Sequence, residues 1–250
     1  MSKSRIIITD PHGCYDTLMA LIAKLPSGVP VTFAGDLIDR GPDSRKIIEF
    51  IGDGGYDCVQ GNHEDMMLRD LHFRVKENGE EQIFVDWYHS DWMYNGGQRC
   101  LDSYLVPKKE ELATGEIIET MVHDITALKR DTEWLRSLPV YIRYPELVND
   151  KGQELMVSHS TAGDIWDMDH ANPQFKTRIM WDRDPFPPKI DGIYNVYGHT
   201  PQKNGPTVKE HFAAIDGGCY FKRQPYGKLY ALQFPEMTVY EQDNVEKEPK

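Results

Sequence analysis

Cysteine is scarce and scattered in this chain. Four residues, Cys14, Cys58, Cys100 and Cys219, stand far apart with no CxxC pair among them. That excludes a disulfide framework and a thiolate zinc knuckle, and it makes four reduced, buried or half-buried thiols the expectation. Positive charge is also short: 28 Lys and Arg face 40 Asp and Glu, a net charge of -12. Binding along a phosphate backbone needs a basic surface, so no nucleic-acid polymer is expected as a partner. A small, locally positive pocket stays compatible with that balance. No apolar run is long enough to span a membrane, and the one within MSKSRIIITD is far too short for a signal segment. A soluble, cytoplasmic protein with no membrane partner is expected. Internal repeats and low-complexity segments are lacking as well. With 250 residues, 40% of them hydrophobic, the chain suits a single domain, 1–250, carrying an insertion.

What is present first is a rhythm. Residues 6–9 form a short apolar run, as in a central buried strand, which breaks into Asp10-Pro11-His12-Gly13. Asp16 is positioned to cap a helix in which Leu18, Leu21, Ile22 and Leu25 recur at helical spacing. A second strand over 31–36 leads into Asp43-Ser44 and a helix carrying Ile47, Ile48 and Ile51. A third, over 56–60, ends on Gly61-Asn62-His63-Glu64. Strand, polar turn and helix repeated in this way predict an α/β fold with a largely parallel sheet.

From about 65 to 138 the rhythm stops and a helical insertion is expected, with Asn78-Gly79 as a polar break and a long helix over 117–138. Trp87, Trp92 and Tyr94 within it read as packed helical core in preference to a ligand box. Strands resume over 140–144, 155–158, 194–197, 213–216, 228–234 and 237–240, the last two joined through Pro235-Glu236 as a hairpin. Three prolines make 181–188 a loop. The tail, 243–250, is polar and expected to fray.

The chemistry gathers where strands end. Asp10 and His12, Asp36 with Asp39 and Arg40, Asn62 and His63, His159, Arg183 and His199 each follow an apolar strand or lie in a loop. Strand ends at one edge of an open α/β sheet converge in space. The set offers carboxylate, imidazole and amide but no thiolate, which suits Mn²⁺, Fe, Zn²⁺ or Mg²⁺. With one carboxylate able to bridge, it reads as a two-metal centre, whose ions lie about 3.5–4 Å apart. Taken singly, each of these residues has a plainer account. Asp10, Asp36 and Asn62 would be turn residues, His63 a helix start, His159 a satisfied core imidazole, and the arginines surface ion-pair partners.

Three turns, DPHG (10–13), GDLIDRG (35–41) and GNHE (61–64), resemble the signature motifs of the PPP-type metallophosphatases. SHSTAG (158–163) and GHT (198–200) look like that family's two downstream histidine motifs, and the order agrees over most of the chain. WMYNGGQRCLDSY in the insertion is similar to the bacterial and bacteriophage serine/threonine phosphatase subgroup, which is related to the diadenosine tetraphosphatases. Thr9 departs from the family's usual glycine, at a position that is not a ligand. Asp39 departs from the alanine usual in the diadenosine tetraphosphate hydrolases, which tilts the expectation toward phosphomonoesters.

The resemblance implies a metallophosphoesterase-type sandwich of two mixed sheets flanked by helices. It implies two divalent ions, Mn²⁺ first, with Asp10 and His12 on one, Asn62, His159 and His199 on the other, and Asp36 bridging. A hydroxide between the ions would attack phosphorus directly, with no phosphoenzyme. His63 would be the general acid, Asp39 its orienting partner, and Arg40 a clamp on phosphate oxygens. Arg183 is the expected second clamp, with Arg178 as its competitor. The expected enzyme is a serine/threonine protein phosphatase acting on a phosphoprotein or small phosphate ester. Its rivals are a dinucleoside polyphosphate hydrolase and a non-catalytic phospho-binding module.

Overall fold

A computed structural model describes residues 4–112 and 114–247. The opening rhythm is realised as β1 (Arg5–Ile8), α1 (Tyr15–Ile22), β2 (Val31–Phe33), α2 (Ser44–Asp53), β3 (Asp57–Cys58) and α3 (Asn62–Asp70). β1 pairs in parallel with β2, and β2 with β3. Cys14, not Asp16, occupies the N-cap of α1; Asp16 lies in its first turn, where a carboxylate complements the helix dipole.

The insertion is only partly helical. It runs β4 (His72–Val75), β5 (Glu81–Phe84), α4 (Asp91–Tyr94), α5 (Gly97–Asp102), β6 (Leu105–Glu111), β7 (Ile117–His123) and α6 (Ile125–Ser137). β4 pairs antiparallel with β5, and β6 with β7, so the helix expected over 117–138 begins only at Ile125. The reason is local. Asn78-Gly79, with Gly79 at φ +86°, turns a hairpin, and Ile117, Ile118, Thr120 and Val122 are β-branched residues that crowd a helix.

The second half contains β8 (Tyr141–Val148), β9 (Glu154–Ser158), α7 (Pro173–Trp181), β10 (Ile193–Tyr197), β11 (Thr207–Val208), β12 (Phe212–Ala214), β13 (Lys228–Phe234) and β14 (Thr238–Asp243). α7 follows Asn172, whose side chain accepts from the Gln174 amide, with Pro173 in the first turn. The loop expected over 181–188 starts one residue later, at 182. One sheet has the order β14-β13-β1-β2-β3 and the other β11-β12-β10-β9-β8; each is mixed, with parallel strands at its centre.

Alternation along β1 shows how the layers stack. Ile6 and Ile8 face a core shared with Leu18, Leu21, Ile47 and Ile51 of the helices. Ile7 faces the opposite way, into a core with Leu155, Val157, Val196 and Leu232 that joins the two sheets. A third core sets Met156 and Ile193 against Phe175, Ile179 and Met180 of α7. All four cysteines are free and buried. The tail is better anchored than expected. The Val245 amide donates to Thr17 Oγ1 at 3.0 Å, and Glu246 Oε1 accepts from the Thr17 amide at 2.8 Å, so 245–246 dock on α1; residues 248–250 lie outside the described residues. Among the described residues, no helix is long and apolar enough to cross a membrane.

Candidate metal centre

The parallel strands of both sheets point their C-terminal ends at one place, and the turns that follow them meet there. Six of the seven non-glycine residues with positive φ among the described residues are Asp10, His12, Asp36, Asp39, Arg40 and His199. Left-handed backbone costs about 1–3 kcal/mol per residue and persists only where the surroundings over-determine it. Close approach of the turns does so here. A Cβ on Gly61 would sit 2.4 Å from the Asp36 amide, and one on Gly198 would sit 1.8 Å from Asp10 Oδ2. One carboxylate stitches two turns together: Glu64 accepts from the amides of Asp36 (2.9 Å), Leu37 (2.8 Å) and Gly61 (2.8 Å).

Hydrogen bonds to carbonyls fix which ring nitrogens carry protons. His12 Nδ1 donates to the Ile38 carbonyl at 2.9 Å, leaving the Nε2 lone pair free to accept. His159 Nδ1 donates to the Ala34 carbonyl at 2.8 Å, and His199 Nε2 to the Trp181 carbonyl at 3.2 Å. The other ring nitrogens converge. His12 Nε2 lies 3.5 Å from Asp36 Oδ2, whereas His159 Nε2 lies 3.3 Å from Oδ1 of the same carboxylate. Around His159 Nε2 are Asn62 Oδ1 at 2.9 Å and His199 Nδ1 at 3.2 Å. Two clusters of ligand atoms result, His12, Asp36 and His63 on one side and Asp36, His159 and His199 on the other, with Asp36 common to both. Asp10 lies beside them, both its oxygens accepting from the His199 amide at 3.1 Å.

The electrostatics call for cations. Asp10, Asp36, Asp39, Glu64 and Asp216 are all buried. Burial, then the charge of Asp216, drives Asp10 well above the usual carboxylate range. Burial likewise raises Asp39, takes Asp216 to about 6, and with the charge of Asp36 takes Glu64 to about 7. Asp36 alone moves the other way: burial works against its charge, but the rings of His159 and His63 outweigh it. His159 is raised to about 10 because Asp36 and Asp10 overcome its own burial. His199 falls to about 2, through burial and the charge of His159. Crowded dry carboxyls that resist ionising, next to imidazole nitrogens that can give a cation the place of a proton, are a donor set that divalent cations satisfy.

His63 and Asp39 form a separate pair at the edge of this cluster. His63 Nδ1 and Asp39 Oδ2 are 2.6 Å apart, both side chains fully buried. The other oxygen of Asp39 accepts from the Trp92 indole at 2.8 Å, so a residue expected only to pack also ties the insertion to the site. The Arg40 guanidinium donates to His12 Nε2 at 2.8 Å and lies over the Tyr220 ring, 4.3 Å from its centroid. Arg183 Nη1 lies 3.3 Å from both the His199 carbonyl and Thr200 Oγ1. Arg178 is held on α7 by Asp182, at 2.6 Å. The structure thus brings Arg183, not Arg178, against the metal-site loops. Glu64, Trp92, Asp216 and Tyr220 were not singled out from sequence as site residues. Glu64 and Trp92 lie inside recognised motifs, whereas Asp216 and Tyr220 flank a Gly217-Gly218 pair that carried no chemical signal.

The chain is similar to several known proteins. The chain is 41% identical over 259 residues to the asymmetrical bis(5'-nucleosyl)-tetraphosphatase PrpE of Bacillus velezensis, covering 92% of this chain and 88% of that one. The PrpE of Halalkalibacterium halodurans is 26% identical, covering 92% and 90%. A symmetrical bis(5'-nucleosyl)-tetraphosphatase of Marinomonas sp. is 24% identical, covering 92% and 93%. Among solved structures, a chain provisionally assigned as a diadenosine tetraphosphatase superposes with a TM-score of 0.61 at 17% identity, covering 98% of this chain and 95% of that one. A serine/threonine phosphatase of Saccharomyces cerevisiae gives 0.53 at 13% identity, covering 99% and 81%; such likenesses speak to the fold alone. A family model, calcineurin-like phosphoesterase, matches residues 4–203, a span that takes in the turns from Asp10 to His199 but not the one carrying Asp216 and Tyr220. The chain belongs to the calcineurin-like phosphoesterase family.

Proposed function

We propose that the protein hydrolyses dinucleoside polyphosphates, cleaving a phosphoanhydride with water. The relatives matched along nearly their whole length bear that name, which favours this reading over the protein phosphatase expected from sequence. The chemistry rests on one observation: the two oxygens of Asp36 face two different imidazole nitrogens, His12 Nε2 and His159 Nε2. Asp10, His12 and Asp36 would hold one divalent ion, and Asp36, Asn62, His159 and His199 a second, with Mn²⁺ proposed for both. Bound there, the ions supply Lewis acidity and bring the pKa of a held water toward neutrality.

The chain's own residues do the rest. Arg40 and Arg183 fix phosphate oxygens, Arg40 becoming available once the His12 lone pair serves a cation. His63, oriented by Asp39, would hand a proton on its Nε2 to the departing oxygen. The intact Asp39–His63 pair also supports a second reading, a phosphomonoesterase, because an alkoxide leaving group needs a proton far more than a phosphate does. Product analysis with Mn²⁺ tests the choice. Nucleotides from diadenosine tetraphosphate, at a kcat/KM well above that for a phosphopeptide, are expected; phosphate from the peptide with no nucleotide released would overturn it.

A further inference from the structure

Beside the metal centre lies a groove of about 370 Å³, within the range of ligand clefts. One wall is the end of β10 and the start of β12, where Tyr197 and Phe212 stack with centroids 5.8 Å apart. The other is the loop after α7, carrying Arg183, Asp184 and Phe186. Arg183 belongs to both places, since it lines the groove and touches the His199 carbonyl and Thr200. A phosphate chain held at the metal centre therefore passes Arg183 on its way into the groove.

The lining chemistry narrows the occupant. Phe186 is 82% exposed, an unusual state for a phenyl ring, on a loop stiffened by Pro185, Pro187 and Pro188. Its amide donates to Asp184 Oδ1 at 2.8 Å, which fixes the loop locally. An aromatic face on a preset loop suits stacking by a flat ring. A carboxylate next to it suits ribose hydroxyls. A larger hollow of about 620 Å³ between the two hairpins of the insertion has no wall in common with the converging turns.

We infer that this groove binds the nucleoside end of the substrate, with the base on Phe186, the ribose at Asp184 and the phosphates running past Arg183. The assignment deepens the hydrolase reading and rests on it. Isothermal titration of the manganese-loaded protein with adenosine monophosphate and with inorganic phosphate tests it. The nucleotide is expected to bind at least about tenfold more tightly than phosphate. Phe186→Ala should weaken it about tenfold, the usual worth of one base–aromatic stack, with phosphate binding unchanged and Phe186→Tyr behaving as the parent. Equal affinity for the two probes, or a nucleotide affinity untouched by Phe186→Ala, overturns the inference. Failure to cleave diadenosine tetraphosphate despite Phe186-dependent nucleotide binding would instead remove the hydrolase reading and leave the groove standing.

Discussion

The converging turns and the insertion place unusual backbone in opposite ways. In the insertion the left-handed positions belong to glycine: Gly79, Gly96 and Gly115. In the turns Gly13 and Gly35 take such positions too, but so do Asp10, His12, Asp36, Asp39, Arg40 and His199, side chains that are not free of cost there. The insertion is thus built as a scaffold is built, with each bend given to the residue that bends without strain. The turns accept strain in order to aim functional groups, and buried hydrogen bonds such as those of Glu64 offset it.

The largest effect expected from breaking that division comes at His63. His63→Asn should lower kcat by about 10²–10⁴ on an alkyl phosphate, the range of a lost general acid. On diadenosine tetraphosphate the loss should be smaller, because the leaving phosphate has a pKa near about 6 and departs without a proton. Kinetics on both substrates with metal content measured alongside decide it. Equal losses on the two would show that His63 acts on something other than the leaving group.

Trp92 is where the two regions meet, and it comes second. Trp92→Phe keeps the aromatic packing but leaves Asp39 Oδ1 without its donor at 2.8 Å. A buried acceptor left unpaired costs about 1–3 kcal/mol. A roughly tenfold fall in kcat is expected, with KM and bound metal unchanged, because Asp39 loses one of the contacts that aim it at His63. Denaturant unfolding and steady-state kinetics measure the two effects. A stability loss with kcat intact would make Trp92 a packing residue only.

Much of the site was legible because its residues break local rules. A carboxylate, an imidazole or an amide directly after a buried strand asks for a partner, and the order of the five motifs supplied the arrangement. The α/β alternation was readable in repeated strand and helix signals such as Ile6, Ile7 and Ile8, which alternate between two cores, whereas the two-sheet sandwich came from the resemblance to a known family. The two hairpins of the insertion were missed because their strands are largely exposed, apolar residues such as Ile117 and Met121 as much as Lys108 and Lys109, so no burial period marks them. α7 was missed because it is short and buries only Phe175, Ile179 and Met180. Asp216 and Tyr220 were hidden for another reason: what brings them to the site is the return of the chain, not any local pattern.

Charge makes the comparison sensitive to pH. His159 has a folded pKa of about 10 against an ordinary 6.5, so its stabilising contribution is whole below pH 6.5 and is lost as pH rises through 10. Glu64, at about 7, prefers its neutral form in the folded state and adds to the fall at the lower end of that window. The metal-free protein should therefore lose about 5 °C or more in Tm between pH 6.5 and 10. Manganese should flatten the slope, since a cation replaces the proton on His159 and favours the ionised carboxyls. A flat metal-free profile over that window would show that the buried imidazole carries no extra proton.

The smallest effect belongs to the scaffold. Gly79 sits at φ +86° in the turn between β4 and β5, and a Cβ added there meets nothing within 4 Å. Gly79→Ala therefore tests backbone preference alone, with no clash to confuse it. A loss of about 1–2 kcal/mol is expected, the cost of holding an L-residue in the left-handed region. Activity on either substrate class should stay at the parent value, because the hairpin contributes no atom to the converging turns. A fall in kcat without a matching fall in stability would mean that the hairpin does communicate with Asp39 through Trp92, and that the separation of scaffold from site is less complete than the backbone suggests.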